Sequence, residues 1–401
     1  MPPPRSRAPP ALPDELIEEV LLRVPPDDPA SLVRAALACR RWCRLVANPA
    51  FRRRRLELHC ARQPMLGFLC DGIWDGKSPS ARFVPTSSFR PPHADLCGMR
   101  SLDARHGRVL FHSSVYRGYI VWNPITDQRV ELPRPPLLGN RSIKATVLCA
   151  ATGVCECDHL NCHSGPFIVV LVGTNDIAVG NGKVPNNMFS CIYSSESSAW
   201  SKPTYDDHPG DNFVSAHSAL VGKTIFFALR SYERILKCDL GTQEMSVIRL
   251  PYVRTNTIFT DYVPIELTTL EDGRLGFARV EKSNELCLWS RGEGDDVEGW
   301  TLCKVIDLKD LFPLVDSCDL EHCLVGFAES VCVAFVAVHC GLFTIDMKSG
   351  LMKKVSEGPG ICRAVPYINF CTPALEAPSR DDGQRVGISS GKGGCLKGLK
   401  S

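Results

Sequence analysis

The sequence predicts a multidomain protein: a small all-α module at the N-terminus followed by a large all-β propeller. Three observations carry this. Apolar residues at helical spacing are confined to residues 12–56, short strand-like runs recur from Gln63 to Leu375, and those runs are separated by Gly, Asp, Asn and Pro turns. A chain of 401 residues has room for one large domain beside a small one.

The first helix is read from "LPDELIEEVLLRV", Leu12 to Val24. Leu16, Ile17, Val20, Leu21 and Val24 fall at i, i+1, i+4, i+5 and i+8, along one side of a 3.6-residue period. Pro13 suits the first helical position, Asp14 and Glu15 sit at the positive end of the helix dipole, and Pro25-Pro26 stops the helix. Burying such side chains contributes roughly 1.5–3 kcal/mol each, so something must cover this face. The next stretch, "DDPASLVRAALACRRWCRLVANPAFRRRR", offers Asp28 as a cap and Pro29 at the first helical position. Leu32, Val33, Ala36, Leu37, Cys43 and Val46 continue the pattern until Asn48-Pro49 breaks it, which gives a helical hairpin or a three-helix unit. A unit of about 45 residues is close to the lower limit for independent stability, so a partner is expected.

These residues resemble an F-box: a Leu-Pro opening, a first helix, a Pro-rich break, the core "LVRAALACRRW" and a trailing basic segment. The resemblance implies docking onto a Skp-type adaptor that is itself bound to a cullin. Carried over by position, it implies contacts from Leu12, Pro13, Leu16, Ile17, Val20, Leu21, Leu32, Val33, Arg34, Cys39 and Trp42. Which of these face the adaptor and which the internal core, the sequence leaves open.

Residues 1–62 carry +5 and the remainder −3, within a net charge of +2. Arg40, Arg41, Arg44 and Arg52 to Arg55 form most of the basic patch. A nuclear address or phosphate-backbone contact is one reading; basic residues at helix ends and on a solvated face is the preferred one. Twenty cysteines without a recognisable secretory leader are read as reduced thiols of an intracellular protein, cytoplasmic or nuclear. The longest apolar run, "VCVAFVAVHCGLF", is rich in β-branched residues and reads as paired strands, so no membrane partner is expected.

From residue 63 to 375 a three-strand unit recurs. "GRVLFHSSVYRGYIVWNPITDQRVELP" is its clearest copy, followed by "GKTIFFALRSYERILKCDLGTQEMSVIRLP" and "SVCVAFVAVHCGLFTIDMKSGLMKKVSE". Units of this kind signal a propeller of five to seven blades, because one blade cannot bury both of its faces alone; a β-sandwich is the rival. Asn123-Pro124, Asp239-Leu240-Gly241 and Asp346 with Ser349-Gly350 supply the side-chain-to-backbone bonds that tight turns need. With the N-terminal module, "PMLGFLCDG", "ARFVPTSSF" and "CDHLNCHSGPFIVVLVG", the chain is similar to plant F-box proteins, cereal ones especially, with an associated β-propeller. That resemblance implies that the propeller captures a protein substrate for ubiquitylation. Residues 1–11 and 376–401 are expected to be disordered tails, 12–56 the F-box, 57–62 a linker and 63–375 the propeller.

The most tempting chemical site is "CECDHLNCH", with Cys155, Cys157, His159, Cys162 and His163 as soft ligands for zinc. Structural zinc sites usually draw ligand pairs from two separated segments, and no second pair is spaced to match; the preferred reading is a loop whose cysteines fill apolar space. "VGKTIFF" lacks the first glycine of a phosphate loop, His217 standing there, and reads as a hairpin turn. Trp122, Trp200, Trp289 and Trp300 read as blade core. No cofactor and no catalytic residue is called for. The resulting expectation is a non-catalytic substrate receptor of a ubiquitin ligase. Its rivals are a propeller enzyme or small-molecule sensor, for which convergent ionisable side chains in the central channel would speak, and a nucleic-acid-associated factor.

Overall fold

The computed structural model describes residues 12–26, 28–59, 64–72, 80–136, 142–152, 157, 162, 165–174, 178–179, 182–183, 187–209, 213, 216–230, 234–251, 265–282, 284–292, 299–312, 323–358 and 361–369. Both expected tails lie outside them.

Four helices form the N-terminal module: α1 (Asp14–Leu22), α2 (Pro29–Ala38), α3 (Arg40–Ala47) and α4 (Pro49–His59). Asp28 caps α2, its two carboxylate oxygens accepting from the Ser31 amide at 3.2 Å and the Ser31 hydroxyl at 2.6 Å. The expected continuous pattern from Leu32 to Val46 is broken at Cys39, which is extended (φ −160°, ψ 160°) and whose sulfur accepts from the Trp42 amide. The break turns α3 against α1, so Val46 is buried while Leu37 is left 70% exposed. Ile17, Leu21, Leu22, Leu32, Ala36, Val46 and Phe51 make one small core. Residues 57–59, expected in a linker, continue α4 instead. The reason is local: Arg55 donates to the carbonyls of Leu21 and Pro25, and His59 Nε2 lies 2.9 Å from the carbonyl oxygen of Leu22, which satisfies the orphan carbonyls at the end of α1.

Among the described residues the rest is a propeller of six antiparallel blades, the number the sequence left between five and seven, with one separate two-stranded sheet of Ala178–Val179 and Gly182–Lys183. The first blade joins Met65–Gly72, Ser80–Pro85 and Asp95–Leu96 to the chain's last described strand, Ile361–Ile368, which pairs with Met65–Gly72 and closes the ring. The second holds Met99–Arg105, Arg108–Ser113, Gly118–Trp122 and Arg129–Glu131. The third holds Ile143–Cys149, Phe167–Thr174 and Asn187–Ser194, with Ala199–Trp200 and Thr204–Pro209 sharing its outer edge. The fourth is Ala219–Val221, Thr224–Ala228, Arg234–Asp239 and Met245–Arg249. Ile265–Thr269, Leu275–Glu281, Glu285–Arg291 and Trp300–Asp307 make the fifth. Cys323–Ala328, Val333–Val338, Gly341–Asp346 and Met352–Glu357 make the sixth.

Why these strands stack as a ring is visible in the cores. Successive residues point to opposite faces, and each face meets a different neighbour. Phe226 and Ile235 pack with Leu267 and Phe277 of the fifth blade, whereas Ile225 and Phe227 pack with Val170 and Val172 of the third. Six such clusters lie between consecutive blades, the last joining Phe335 and Leu342 to Phe68 and Ala364 across the closure. Trp122 and Trp300 are buried in these clusters, and Trp200 and Trp289 pack against them. The predicted turns form as expected: Asn123 Oδ1 accepts from the Ile125 amide, Asp239 Oδ1 from Gly241 and Thr242, and Asp346 Oδ1 from Lys348 and Ser349. Each three-strand unit read from the sequence is preceded by one further strand that lines the axis, such as Met99–Arg105 or Cys323–Ala328. The module touches the first blade where Ser88 donates to Asp28 Oδ1 at 2.8 Å, beside the start of α2.

Candidate functional site

The first helix has two apolar stripes rather than one face. Ile17 and Leu21 point into the module core, while Leu16 and Val20, four apart on the helix, are 54% and 62% exposed, and Leu12, just ahead of the helix, is 60% exposed. Such a stripe on a monomer marks a docking surface when it is contiguous. Of the residues the F-box resemblance singled out, Leu12, Pro13, Leu16, Val20, Arg34 and Cys39 are exposed, Val33 and Trp42 are half-buried, and Ile17, Leu21 and Leu32 are core. Leu37, exposed on α2, was not among them; its position next to the inward-facing Ala36 was the available signal.

Polar contacts fix the orientation of α1. Arg41 Nη2 donates to the Leu12 carbonyl at 2.7 Å and its Nε donates to Asp14 at the helix start; Arg54 pairs with Glu18 at 2.7 Å. Arg41, Arg54 and Arg55 therefore hold helices together, which takes three arginines of the basic patch away from any phosphate backbone.

The propeller axis carries a second constellation that no sequence motif announced. Innermost strands and the segments next to them contribute Asp71, Asp103, Arg105, Lys144, His217, Glu266, Glu329 and Arg363, drawn from five blades and the residues leading into the fourth. Arg105 reaches across the axis: it pairs with Glu329 at 2.9 Å and Asp103 at 3.5 Å, and donates to the Ser218 carbonyl. Burial opposes its charge, but Glu329 and Asp103 outweigh burial and hold its pKa above the ordinary arginine value. Asp71 Oδ1 accepts from the Ser101 amide and hydroxyl, and His217 Nδ1 lies 2.6 Å from Glu266 Oε2. Burial pushes the Asp71 carboxyl up, with Arg363 and Ser101 pulling the other way. Lys144 is held well below the usual lysine range by burial first and by Arg363 and Arg100 next; its ammonium donates to the Ala216 carbonyl at 3.2 Å. Arg363 donates to the Leu102 carbonyl at 2.6 Å, and its Nε and Nη1 have no hydrogen-bond partner among the described residues. The cluster is for the most part matched internally, charge against charge and across blades.

Between the fifth and sixth blades a cleft of about 370 Å³ is lined by Glu271, Asp272, Arg274 and Lys348 with Leu288 and Phe327. Among the zinc candidates, Cys155, His159 and His163 lie outside the described residues. Cys157 and Cys162 are placed together, and Cys149, which the sequence reading passed over, joins them, all three sulfurs lying within 4.8 Å of one another.

Residues 10–54 match the F-box domain family model. The chain thus carries an F-box domain followed by a six-bladed β-propeller. No curated protein matches the chain. Solved structures with a similar path include a protein from Lactobacillus plantarum, at 13% identity, 75% of this chain, 98% of that one and a TM-score of 0.38. The PQQ-bound aldose sugar dehydrogenase of Streptomyces coelicolor aligns at 11% identity over 67% of this chain and 83% of its own, with a TM-score of 0.35. A chain of the nidogen/laminin complex aligns at 7% identity over 76% and 99%, with a TM-score of 0.39. Likenesses this distant carry no argument about activity. Among the described residues no helix is long and apolar enough to cross a membrane.

Proposed function

We propose that this chain is the substrate-recognition subunit of a Skp-cullin-F-box ubiquitin ligase, of the plant type with an associated propeller. The observation that carries the reading is the apolar stripe formed by exposed Leu16 and Val20 on the first helix of an F-box domain, with exposed Leu12 just ahead of that helix. In this reading the stripe docks on a Skp-type adaptor, with Pro13, Arg34, Cys39 and Trp42 beside it and Val33 partly covered, while Ile17, Leu21 and Leu32 support the helix from behind. The propeller presents its loops to a protein target. The chain itself then needs no catalytic group, because bringing a charged ubiquitin carrier near target lysines supplies the acceleration. Such a complex works inside the cell.

A second reading, a small-molecule sensor or enzyme, is favoured by one observation: the ionisable side chains that converge on the axis. Their internal pairing, Arg105 with Glu329 and His217 with Glu266, speaks for interblade ties instead.

The test is co-purification of the full chain, and of a Leu16→Asp, Val20→Asp double variant, with a Skp-type adaptor. Both positions are exposed, so the module core is left intact; Leu21 would be unsuitable, being 2% exposed. Loss of the two apolar contacts, about 3–6 kcal/mol, corresponds to more than about a hundredfold in affinity. Wild-type protein that binds no adaptor, or a double variant that binds as well as wild type, would sink the reading.

A further inference from the structure

Cys149, Cys157 and Cys162 take no part in the docking stripe or the axis. Cys149 ends the innermost strand of the third blade, directly across from Phe167, and Cys157 and Cys162 belong to the connection between those two strands. The backbone on both sides is already tied. The Cys149 amide donates to His106 Nδ1 at 3.0 Å, the Thr152 amide donates to the Cys149 carbonyl at 2.9 Å, and the Gly165 amide donates to the Cys162 carbonyl at 3.2 Å.

The sulfur spacing suits a tetrahedral metal. Zinc holds thiolate sulfur at about 2.3 Å, which separates two ligands of a tetrahedron by about 3.8 Å. Cys149 and Cys157 stand at 3.9 Å; Cys157 and Cys162, at 3.1 Å, need to open slightly. The surroundings supply a matching charge. Arg108, 4% exposed, donates to the Gly165 carbonyl through Nη2, and its Nη1 has no hydrogen-bond partner among the described residues. The Arg108 guanidinium also lies over the Phe167 ring, 5.1 Å from its centroid, and a divalent ion with three thiolates would carry one net negative charge beside it. The absence of a second ligand pair in the sequence is answered here by a strand-end cysteine that folding brings to the loop.

We infer that Cys149, Cys157 and Cys162 are three ligands of a structural zinc-class site that fastens this connection to the end of the innermost strand. Thiolate ligands select zinc over magnesium or calcium. Each coordinating thiol gives its proton to solvent, so binding weakens as pH falls. These three sulfurs leave the fourth position of the tetrahedron to solvent.

The experiment measures metal by elemental analysis in full-length protein purified under reducing conditions, then titrates the metal-free protein with Co²⁺. One zinc per chain is expected, with a thiolate-to-cobalt charge-transfer band. Cys149→Ser and Cys157→Ser should each lower zinc affinity at least about tenfold, while Cys238→Ser, at a buried thiol of the fourth blade, leaves it unchanged. Far-ultraviolet circular dichroism checks that each variant is folded, and the cobalt spectrum of wild type stands apart from any variant. Three outcomes overturn the inference: reduced protein with far less than one zinc and no charge-transfer band, zinc affinity that Cys149→Ser leaves intact, or a Cys157–Cys162 disulfide in protein that takes up no metal.

Discussion

Replacing Arg105 by leucine tests whether the charges on the axis tie blades together. The side chain is 12% exposed and connects three blades' worth of structure: Asp103 on its own strand, the Ser218 carbonyl leading into the fourth blade and Glu329 next to the sixth. Leucine removes the guanidinium and leaves two carboxylates behind. Breaking one side of a buried pair costs about 3–5 kcal/mol. The lower end applies, because the Glu329 side chain is 25% exposed and can hydrate, and Asp103 keeps the Thr146 hydroxyl and the Val147 amide as donors. A loss of about 3 kcal/mol lowers the melting temperature of a domain this large by roughly 4–6 °C. The assay is thermal and urea unfolding followed by tryptophan fluorescence, with adaptor binding measured in parallel, since the helical module is untouched. Adding Glu329→Gln to the leucine variant should recover part of the loss, because it removes the stranded charge. A single variant melting within about 2 °C of wild type would refute the tie, and the axial charges would then have to be explained by a ligand.

Two further substitutions probe the closure and the turns. Gly326→Ala drives a Cβ into the Ala364 carbonyl oxygen, where the innermost strands of the sixth and first blades approach. Backbone cannot yield as a flexible side chain does, so a loss of about 3 kcal/mol or more is expected in urea unfolding; an unchanged midpoint would contradict the closeness of the two strands. Asp127→Asn isolates one charge, because asparagine also tolerates the positive φ of 57° at this turn. The Trp122 indole N–H, then His93, hold the Asp127 carboxyl below its ordinary range. A carboxylate lowered in the folded state adds stability above its unfolded pKa and loses it as pH falls through the folded value. The asparagine variant should therefore be slightly less stable than wild type at neutral pH, by under about 1 kcal/mol for so exposed a group, and the gap should close in acid. A gap that widens below pH 4 would reverse the sign of the reasoning.

The two-domain plan was legible because two different periodicities meet in one chain. Leu16, Ile17, Val20 and Leu21 repeat at helical spacing, and the blade units repeat with Asn123, Asp239 and Asp346 in equivalent turns. What spacing could not separate was the division of α1 into a buried and an exposed stripe. Leu16 and Ile17 are neighbours on one helix, and only the position of Leu32, Val46 and Phe51 decides that Ile17 is covered. Blade number was hidden for a related reason: the axial strand of each blade precedes the recognisable unit, and the first blade borrows its innermost strand from residues 361–368. Chain closure is a long-range fact with no local signature.

The same limit governs the charged axis and the thiol cluster. Asp71, Arg105, Glu266 and Arg363 are scattered through nearly 300 residues, and each alone reads as an ordinary charge in a strand. Their meeting follows from the ring, because every innermost strand turns one face to the same narrow space. In that space an unpaired charge is costly, so matched pairs from different blades give specificity to the arrangement as well as cohesion. Cys149 shows the principle at smaller scale: a strand-end thiol reads as core filler until the connection that follows it folds back with two more. A receptor needs a rigid body behind variable loops, and ties across the axis and along the third blade would supply that rigidity without occupying the loops that meet a target.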